Sequence, residues 1–211
     1  DTIRVVTPNE NGVAFANVSA IGASYAGEWR FDEIVLRRGG FLEAADPLVV
    51  AGDLALTESA LLVHPETTQV YAADLVIDAG RVTIDATSRI DVSGRGHLGG
   101  GRSGIGETAH TVGFAAGAQR GTGGSHGGVG GKFSSSGTSV TNPVYGNPSA
   151  PRDLGAGGGA WSGDGGDGGG RVAISAGAMV LDGVLRADGG LSSGTASGEG
   201  AGGSLDLRIG A

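Results

Sequence analysis

The sequence contains no cysteine, which excludes a disulfide framework and metal sites built from thiolates. Lysine is almost absent, with Lys132 the single example, and 22 acidic residues outnumber 14 basic ones for a net charge of −8. Because such a surface does not attract a phosphate backbone, we expect no nucleic-acid partner. The chain also lacks any run of about 18 apolar residues, so we expect no membrane span.

Aromatic residues make up 5% of the chain, and there are six prolines. No Gly-X-Y period accompanies the glycine, which excludes collagen. The chain begins with Asp1 and shows no signal peptide, so we expect a processed product or a piece of a longer protein. The acidic balance fits a soluble protein outside the cell, and we predict an extracellular or cell-surface location.

Glycine is what the sequence has in excess, and it is unevenly placed. Of 45 glycines, seven lie in residues 1–93 and 38 in residues 94–211. We predict one domain, because 211 residues suffice for a single core. Its expected parts are an N-terminal cap (1–30), regular strands (31–93), a glycine-rich insertion (94–169) and returning C-terminal strands (170–211).

Short apolar alternations run through the regular part and are broken every six to ten residues by Gly, Asp, Pro or Ser. An apolar residue at every second position indicates β-strands. One motif occurs twice: Gly-Arg-Val-Thr-Ile at residues 80–84 and Gly-Arg-Val-Ala-Ile at residues 170–174. A strand motif repeated on both sides of a glycine tract favours a stack that the chain leaves near Gly94 and rejoins near Gly170.

The predicted fold class is therefore all-β: a parallel β-solenoid, expected as a right-handed β-helix, with a long glycine-rich insertion. The terminal strands, at residues 3–6 and 204–209, should present unpaired edges to a neighbouring domain or subunit. The residues predicted to point inward are Leu75, Ile77, Val82, Ile84, Ile90, Val92, Val172, Ile174, Leu205 and Leu207.

The glycine tract adds a resemblance. It contains Ser-His-Gly-Gly at residues 125–128, Tyr-Gly at 145–146, Pro-x-x-Leu-Gly-x-Gly-Gly-Gly at 151–159 and three glycines at 168–170 before a strand. Together with the strand ends at residues 90–97 and 185–190, these motifs resemble a glycine-rich, adhesin-like β-helical module of large bacterial surface and secreted proteins. The resemblance covers about residues 75–211, and it implies an adhesive or structural segment without catalytic residues to carry over.

Two groups of residues could bind a metal ion. Asp164 and Asp167 lie in a Gly-Asp run, and such runs supply oxygen ligands to calcium in β-rolls, although this run occurs only once. A solvated turn is the favoured interpretation, with calcium binding as the alternative. His97, His110 and His126 could gather around a metal, but their spacing matches no ligand motif, so hydrogen bonding in tight turns is preferred. No other cofactor is expected.

Catalysis is the least favoured interpretation. Ser125, His126 and Asp153 could be a nucleophile, base and orienting group, but no nucleophile elbow surrounds the serine. A carboxylate ladder could act as a polysaccharide lyase or hydrolase, although outward aspartates more often keep a surface soluble. The ladder consists of Asp74, Asp78, Asp85 and Asp91.

Aromatic side chains in the glycine tract have two interpretations. Phe114, Phe133, Tyr145 and Trp161 could anchor glycine loops, which would keep part of the tract ordered. Tyr145 and Trp161, with His126, could instead contact glycans or a protein partner. The sequence thus predicts a structural or adhesive unit that self-associates into a fibre or sheath; a carbohydrate-binding module is the alternative.

Overall fold

The computed structural model of the chain describes residues 29–132 and 139–210. The predicted strand at residues 3–6 and the predicted anchor Phe133 lie outside these residues. The described strands are, in chain order, β1 (Trp29–Phe31), β2 (Ile34–Leu36), β3 (Phe41–Glu43), β4 (Leu48–Leu56), β5 (Leu61–Val63), β6 (Leu75–Ile84), β7 (Arg89–Asp91), β8 (His110–Thr111), β9 (Ala115–Ala116), β10 (Arg171–Leu181), β11 (Val184–Arg186) and β12 (Ser204–Ile209). Helix is limited in the described part to the 3₁₀ turns Arg102–Gly104 and Val112–Phe114.

The strands form two parallel sheets and one small antiparallel sheet. The larger sheet has six strands in the order β1-β4-β6-β10-β12, with β2 also paired to β4. The smaller parallel sheet has four strands in the order β11-β7-β5-β3. Strands β8 and β9 pair antiparallel outside both sheets.

The prediction of a β-solenoid is wrong. The described strands make a mostly-strand arrangement of two separate parallel sheets, with almost no helix and no closure into a solenoid. Period-two alternation and a recurring strand motif identify strands that lie side by side in parallel. Closure of successive turns is a separate property, which depends on how loops bend between sheets, and the alternation does not encode it.

Apolar side chains stack in columns across the larger sheet. Opposed residues of parallel strands point to the same face, so the pairing of Leu48 with Ile77 and of Ile77 with Ile174 stacks three buried side chains. One buried cluster contains residues of both parallel sheets, which therefore share a core. Burial of each large side chain in it contributes about 1.5–3 kcal/mol.

Eight of the ten predicted inward positions are confirmed as buried, whereas the two on β12 are not buried. Leu205 and Leu207 lie opposite Val172 and Ile174, so they do occupy the core face of the sheet. They are nevertheless 39% and 43% exposed. The reason is that β12 is the last described strand of its sheet, with only β10 beside it.

The two copies of the predicted motif do not lie side by side. Residues 172–176 of β10 pair with residues 75–79 of β6, whereas Val82 of the first copy faces Met179. The sequence that the register aligns is instead Ala-Gly. Gly177 lies beside Gly80, and Gly80 lies beside Gly52. Strand β10 is thus the direct parallel neighbour of β6, although the glycine-rich segment separates them in sequence.

Candidate functional site

The glycine-rich segments pack against each other as backbone. We use the term glycine block for residues 96–124, 154–170 and 187–203. Its central segment, residues 155–160, is buried along its whole length. Successive amides of this segment point to different neighbours: Gly157 donates to His110 O (3.0 Å), Gly158 to Gly166 O (2.8 Å) and Gly159 to Thr122 O (2.8 Å). The block is therefore a bundle of extended segments rather than a sheet.

This packing requires residues without side chains. A Cβ atom on Gly158 would overlap the carbonyl of Gly198, and one on Gly166 would overlap the carbonyl of Gly190. Backbone hydrogen bonds of 2.6–3.3 Å take the place that side-chain contacts hold in an ordinary core. This close packing of backbone against backbone explains why the ordered part of the tract needs glycine.

The two aspartates of the predicted calcium site lie near each other, both half-buried. The Asp167 carboxylate accepts a hydrogen bond from the Gly99 amide (2.6 Å). Burial raises the pKa of Asp167, and the charges of Glu66 and Asp164 raise it further, whereas the Gly99 hydrogen bond and Arg102 lower it. The two carboxylates thus repel each other while Arg102 partly compensates.

No group of three or more His, Asp or Glu side chains gathers in the described residues in a way that could hold a metal ion. Two of the three predicted metal-binding histidines, His97 and His110, place their rings edge-on against Phe114, with centroids 6.0 and 6.3 Å away. Their Nδ1 atoms are buried without a hydrogen-bond partner in the described part of the chain. Burial, together with the charge of nearby His110, lowers the pKa of His97 to about 4.

The third histidine, His126, packs its ring against that of Tyr145. The His126 and Tyr145 ring centroids are 5.0 Å apart, and the Tyr145 hydroxyl donates to Leu154 O (2.5 Å). Burial raises the pKa of Tyr145. His126 Nδ1 is 2.7 Å from Gly202 O, so this pair fastens the 145–154 loop to the glycine block.

Trp161 is the most exposed of the predicted contact residues, at 53%. The Arg120 guanidinium lies 5.4 Å from its ring centroid, in cation–π geometry. The Trp161 amide donates to Ser197 Oγ (3.0 Å), which fixes the backbone below the ring. The Arg120 guanidinium thus occupies one face of the Trp161 indole ring.

Several residues of the two catalytic hypotheses have structural partners. Ser125 is buried, and its Oγ accepts from the Gly130 amide (3.0 Å). Asp74 pairs with Arg171, and Asp91 accepts from the Ser93 amide (3.1 Å). Asp85 accepts from the amides of Glu58 and Thr87, and the Glu58 hydrogen bond holds the pKa of this carboxyl well below its usual range.

The clearest unsatisfied surface is the outer edge of β12, which we call the open edge (Ser204–Ile209). Leu205, Leu207 and Ile209 are 39%, 43% and 45% exposed, although each continues a column of the core. Their neighbours in those columns, Val172, Ile174 and Ala176, are buried. The core therefore reaches the surface here, in line with the predicted unpaired edge at residues 204–209.

The opposite end of the larger sheet differs from the open edge. Ile34 and Leu36 of β2 are buried, although β2 pairs only with β4 among the described strands. Next to the open edge, by contrast, Leu181 of β10 is also exposed, although its partner Ile84 is buried. Exposed core positions are therefore concentrated at one end of the molecule.

Comparison with protein-family models, curated proteins and solved structures finds no match to this chain. The resemblance to adhesin-like modules therefore stays a prediction. Within residues 29–132 and 139–210, no helix has the length and apolar character that a membrane crossing requires.

Proposed function

We propose that this chain is a structural and adhesive unit of an extracellular assembly, joined to a neighbouring subunit or domain through the open edge. The observation that carries the proposal is the exposure of Leu205, Leu207 and Ile209 at the end of otherwise buried columns. A sheet edge that shows both free backbone groups and core side chains invites another strand.

The size of the exposed surface is sufficient to matter. Covering a large apolar side chain completely contributes about 1.5–3 kcal/mol, so covering the exposed two-fifths of three such side chains adds about 2–4 kcal/mol before the costs of association. Backbone hydrogen bonds along the edge would add specificity. The net charge of −8 fits a soluble protein outside the cell.

The test is sedimentation velocity over a wide concentration range, on the wild-type chain and two leucine variants. Leu207→Lys places a charge on the open edge and should abolish association. Leu191→Lys is the matched control, because Leu191 is 79% exposed but lies away from β12. A wild-type chain that stays monomeric at every concentration and captures no neighbouring domain, or equal behaviour of both variants, would contradict the proposal.

Carbohydrate binding is the second candidate, and exposed Trp161 favours it. An indole face is a stacking surface for a sugar ring, and Arg120 beside it could donate to sugar hydroxyls. A glycan array with wild-type protein and Trp161→Ala distinguishes the two functions. Binding that disappears in the variant supports a carbohydrate module, whereas an array without binding removes this candidate.

Calcium binding at Asp164 and Asp167 remains a proposal of the same kind. A cation between the two carboxylates would relieve their mutual repulsion. We would measure thermal unfolding with and without calcium, for wild type and Asp164→Asn. A calcium-dependent rise in Tm that the variant loses would support the site, and unchanged Tm in wild type would remove it.

A further inference from the structure

We infer that the occupant of the open edge is a second copy of this chain, paired antiparallel about a two-fold axis at Leu207. This inference rests on the proposed function and specifies its partner. Three properties of β12 favour this arrangement: the direction of its backbone groups, its apolar face and its charges.

The backbone direction restricts the register. The amides of Ser204 and Gly210 donate to β10, at Gly170 O (3.1 Å) and Ala176 O (2.9 Å). Backbone groups alternate in direction along a strand, so those of residues 205, 207 and 209 point away from β10. In an antiparallel pair, two opposed residues exchange both hydrogen bonds only if both point toward the partner strand. This condition requires odd-numbered residues to oppose odd-numbered residues, which an axis at either an odd or an even residue allows. Among these registers, an axis at Leu207 gives the longest overlap, with about six hydrogen bonds.

The apolar face is complementary to itself in this register. With Leu207 on the axis, Leu205 faces Ile209 of the second copy, and Leu207 faces its own equivalent. Opposed residues of an antiparallel pair point to the same face, so the apolar side chains of both copies meet there. Six exposed side chains that end the core columns of two molecules would cover each other.

The charges support the same register. Asp206 and Arg208 lie on the other face of β12 and pair within the strand (2.9 Å). About the Leu207 axis, Asp206 of one copy faces Arg208 of the other, and the reverse. Each charge of this group of four therefore has an opposite charge directly across the interface. Parallel in-register addition of a second β12 would instead set Asp206 beside Asp206 and Arg208 beside Arg208, which is repulsive.

A head-to-tail arrangement fits less well than a two-fold one. It would require the opposite end of the sheet to accept β12, but Ile34 and Leu36 at that end are already buried. A two-fold contact uses one surface twice and closes after two copies.

The decisive experiment exchanges charges between copies. Asp206→Arg alone sets arginine against arginine across the axis, and Arg208→Asp alone sets aspartate against aspartate. Each should raise the dimer dissociation constant by about tenfold or more. A mixture of the two variants restores both opposite-charge pairs, and we expect it to form a heterodimer with wild-type affinity. Sedimentation velocity measures all three samples.

A cysteine variant fixes the position of the axis. Because the chain has no cysteine, Leu207→Cys gives a single thiol that would meet its equivalent across the axis. Mild oxidation should convert it into a covalent dimer, and Leu191→Cys, as the control, should stay monomeric.

The outcomes separate this inference from the proposed function. Rescue by mixing, together with crosslinking at position 207, supports the two-fold dimer. Open-ended association, or capture of a different domain, that Leu207→Lys abolishes without rescue or crosslinking would overturn the inference and leave the proposed function standing. A wild-type chain with no association of any kind would overturn both.

Discussion

At the scale of single residues, His64 shows how a polar side chain is accommodated in this core. It is completely buried, with Nδ1 2.8 Å from Pro65 O and Nε2 accepting from the Arg171 amide (3.4 Å). These contacts define a neutral imidazole with its proton on Nδ1, and burial lowers the pKa of His64. Gly170 lies directly against this ring, so a glycine is required where β10 begins.

We expect Gly170→Ala to destabilise the protein by about 1–3 kcal/mol, since the new Cβ would overlap His64 and the Cβ of Val92. Gly202→Ala is the matched control, because a Cβ there meets its nearest atom at an ordinary 3.8 Å. Denaturant unfolding measures both variants. Equal free energies of unfolding would show that the His64 contact does not constrain the chain.

Acid should destabilise the fold through His97. Its pKa is about 4 when folded against 6.5 for the ordinary side chain, so between these pH values the unfolded chain holds the extra proton. The free energy of unfolding should therefore fall as the pH drops from 6.5 to 4, by up to about 3 kcal/mol from this residue, and level off below. Unfolding curves across this range measure the slope, and His97→Gln should reduce it. A slope unaffected by the substitution would refute the assignment.

At the scale of elements, the strands were largely predictable and their assembly was not. Alternation located the buried faces of β6, β7 and β10, because each apolar position recurs every second residue. The register was missed because Gly-Arg-Val is the more conspicuous repeat, whereas the structure aligns Ala-Gly at residues 79–80 with Ala-Gly at residues 176–177. Sheet closure depends on loop geometry, which a two-residue period does not contain.

The candidate site was predictable in part. An uncovered edge at residues 204–209 follows from the position of a strand at the end of a stack, but the exposure of Leu205 and Leu207 does not. Alternation distinguishes one face of a strand from the other, and it carries no information on whether another layer covers that face. The contact of His126 with Tyr145 joins residues that no local pattern relates.

The column that contains Ile174 and Leu207 allows a controlled comparison within one sheet. Ile174 is buried and should lose about 2–5 kcal/mol of stability on change to alanine. Leu207 occupies the neighbouring position of the column but is 43% exposed, so Leu207→Ala should cost less than about 1.5 kcal/mol in the monomer. Denaturant unfolding at low protein concentration measures both. Equal losses would show that β12 is already covered.

At the scale of the whole molecule, a side-chain core and a backbone core adjoin each other. The two parallel sheets bury aliphatic columns, and the glycine block buries amides and carbonyls. The segments are connected at Gly155, which donates to Gly169 (2.8 Å) just before β10 begins. Because the block is hydrogen-bonded throughout, we expect it to unfold together with the sheets.

Hydrogen exchange tests this cooperation. The amides of residues 157–159 should be protected to a degree similar to those of β6, because they are buried and donate to the carbonyls of His110, Gly166 and Thr122. Gly158→Ala should remove that protection and lower Tm, whereas Gly128→Ala, where a Cβ meets nothing within 4 Å, should do neither. Fast exchange at residues 157–159 in the wild type would mean that the block behaves as a linker.

The glycine block also has a consequence for mutational tolerance. A segment with so few kinds of residue would be expected to accept substitutions freely, as flexible spacers do. Here the positions that contact carbonyls of neighbouring segments have no volume for even a methyl group. The region of lowest sequence complexity should therefore be among the least permissive in the chain, and a saturation library would single out its glycines as it does the leucines of a core.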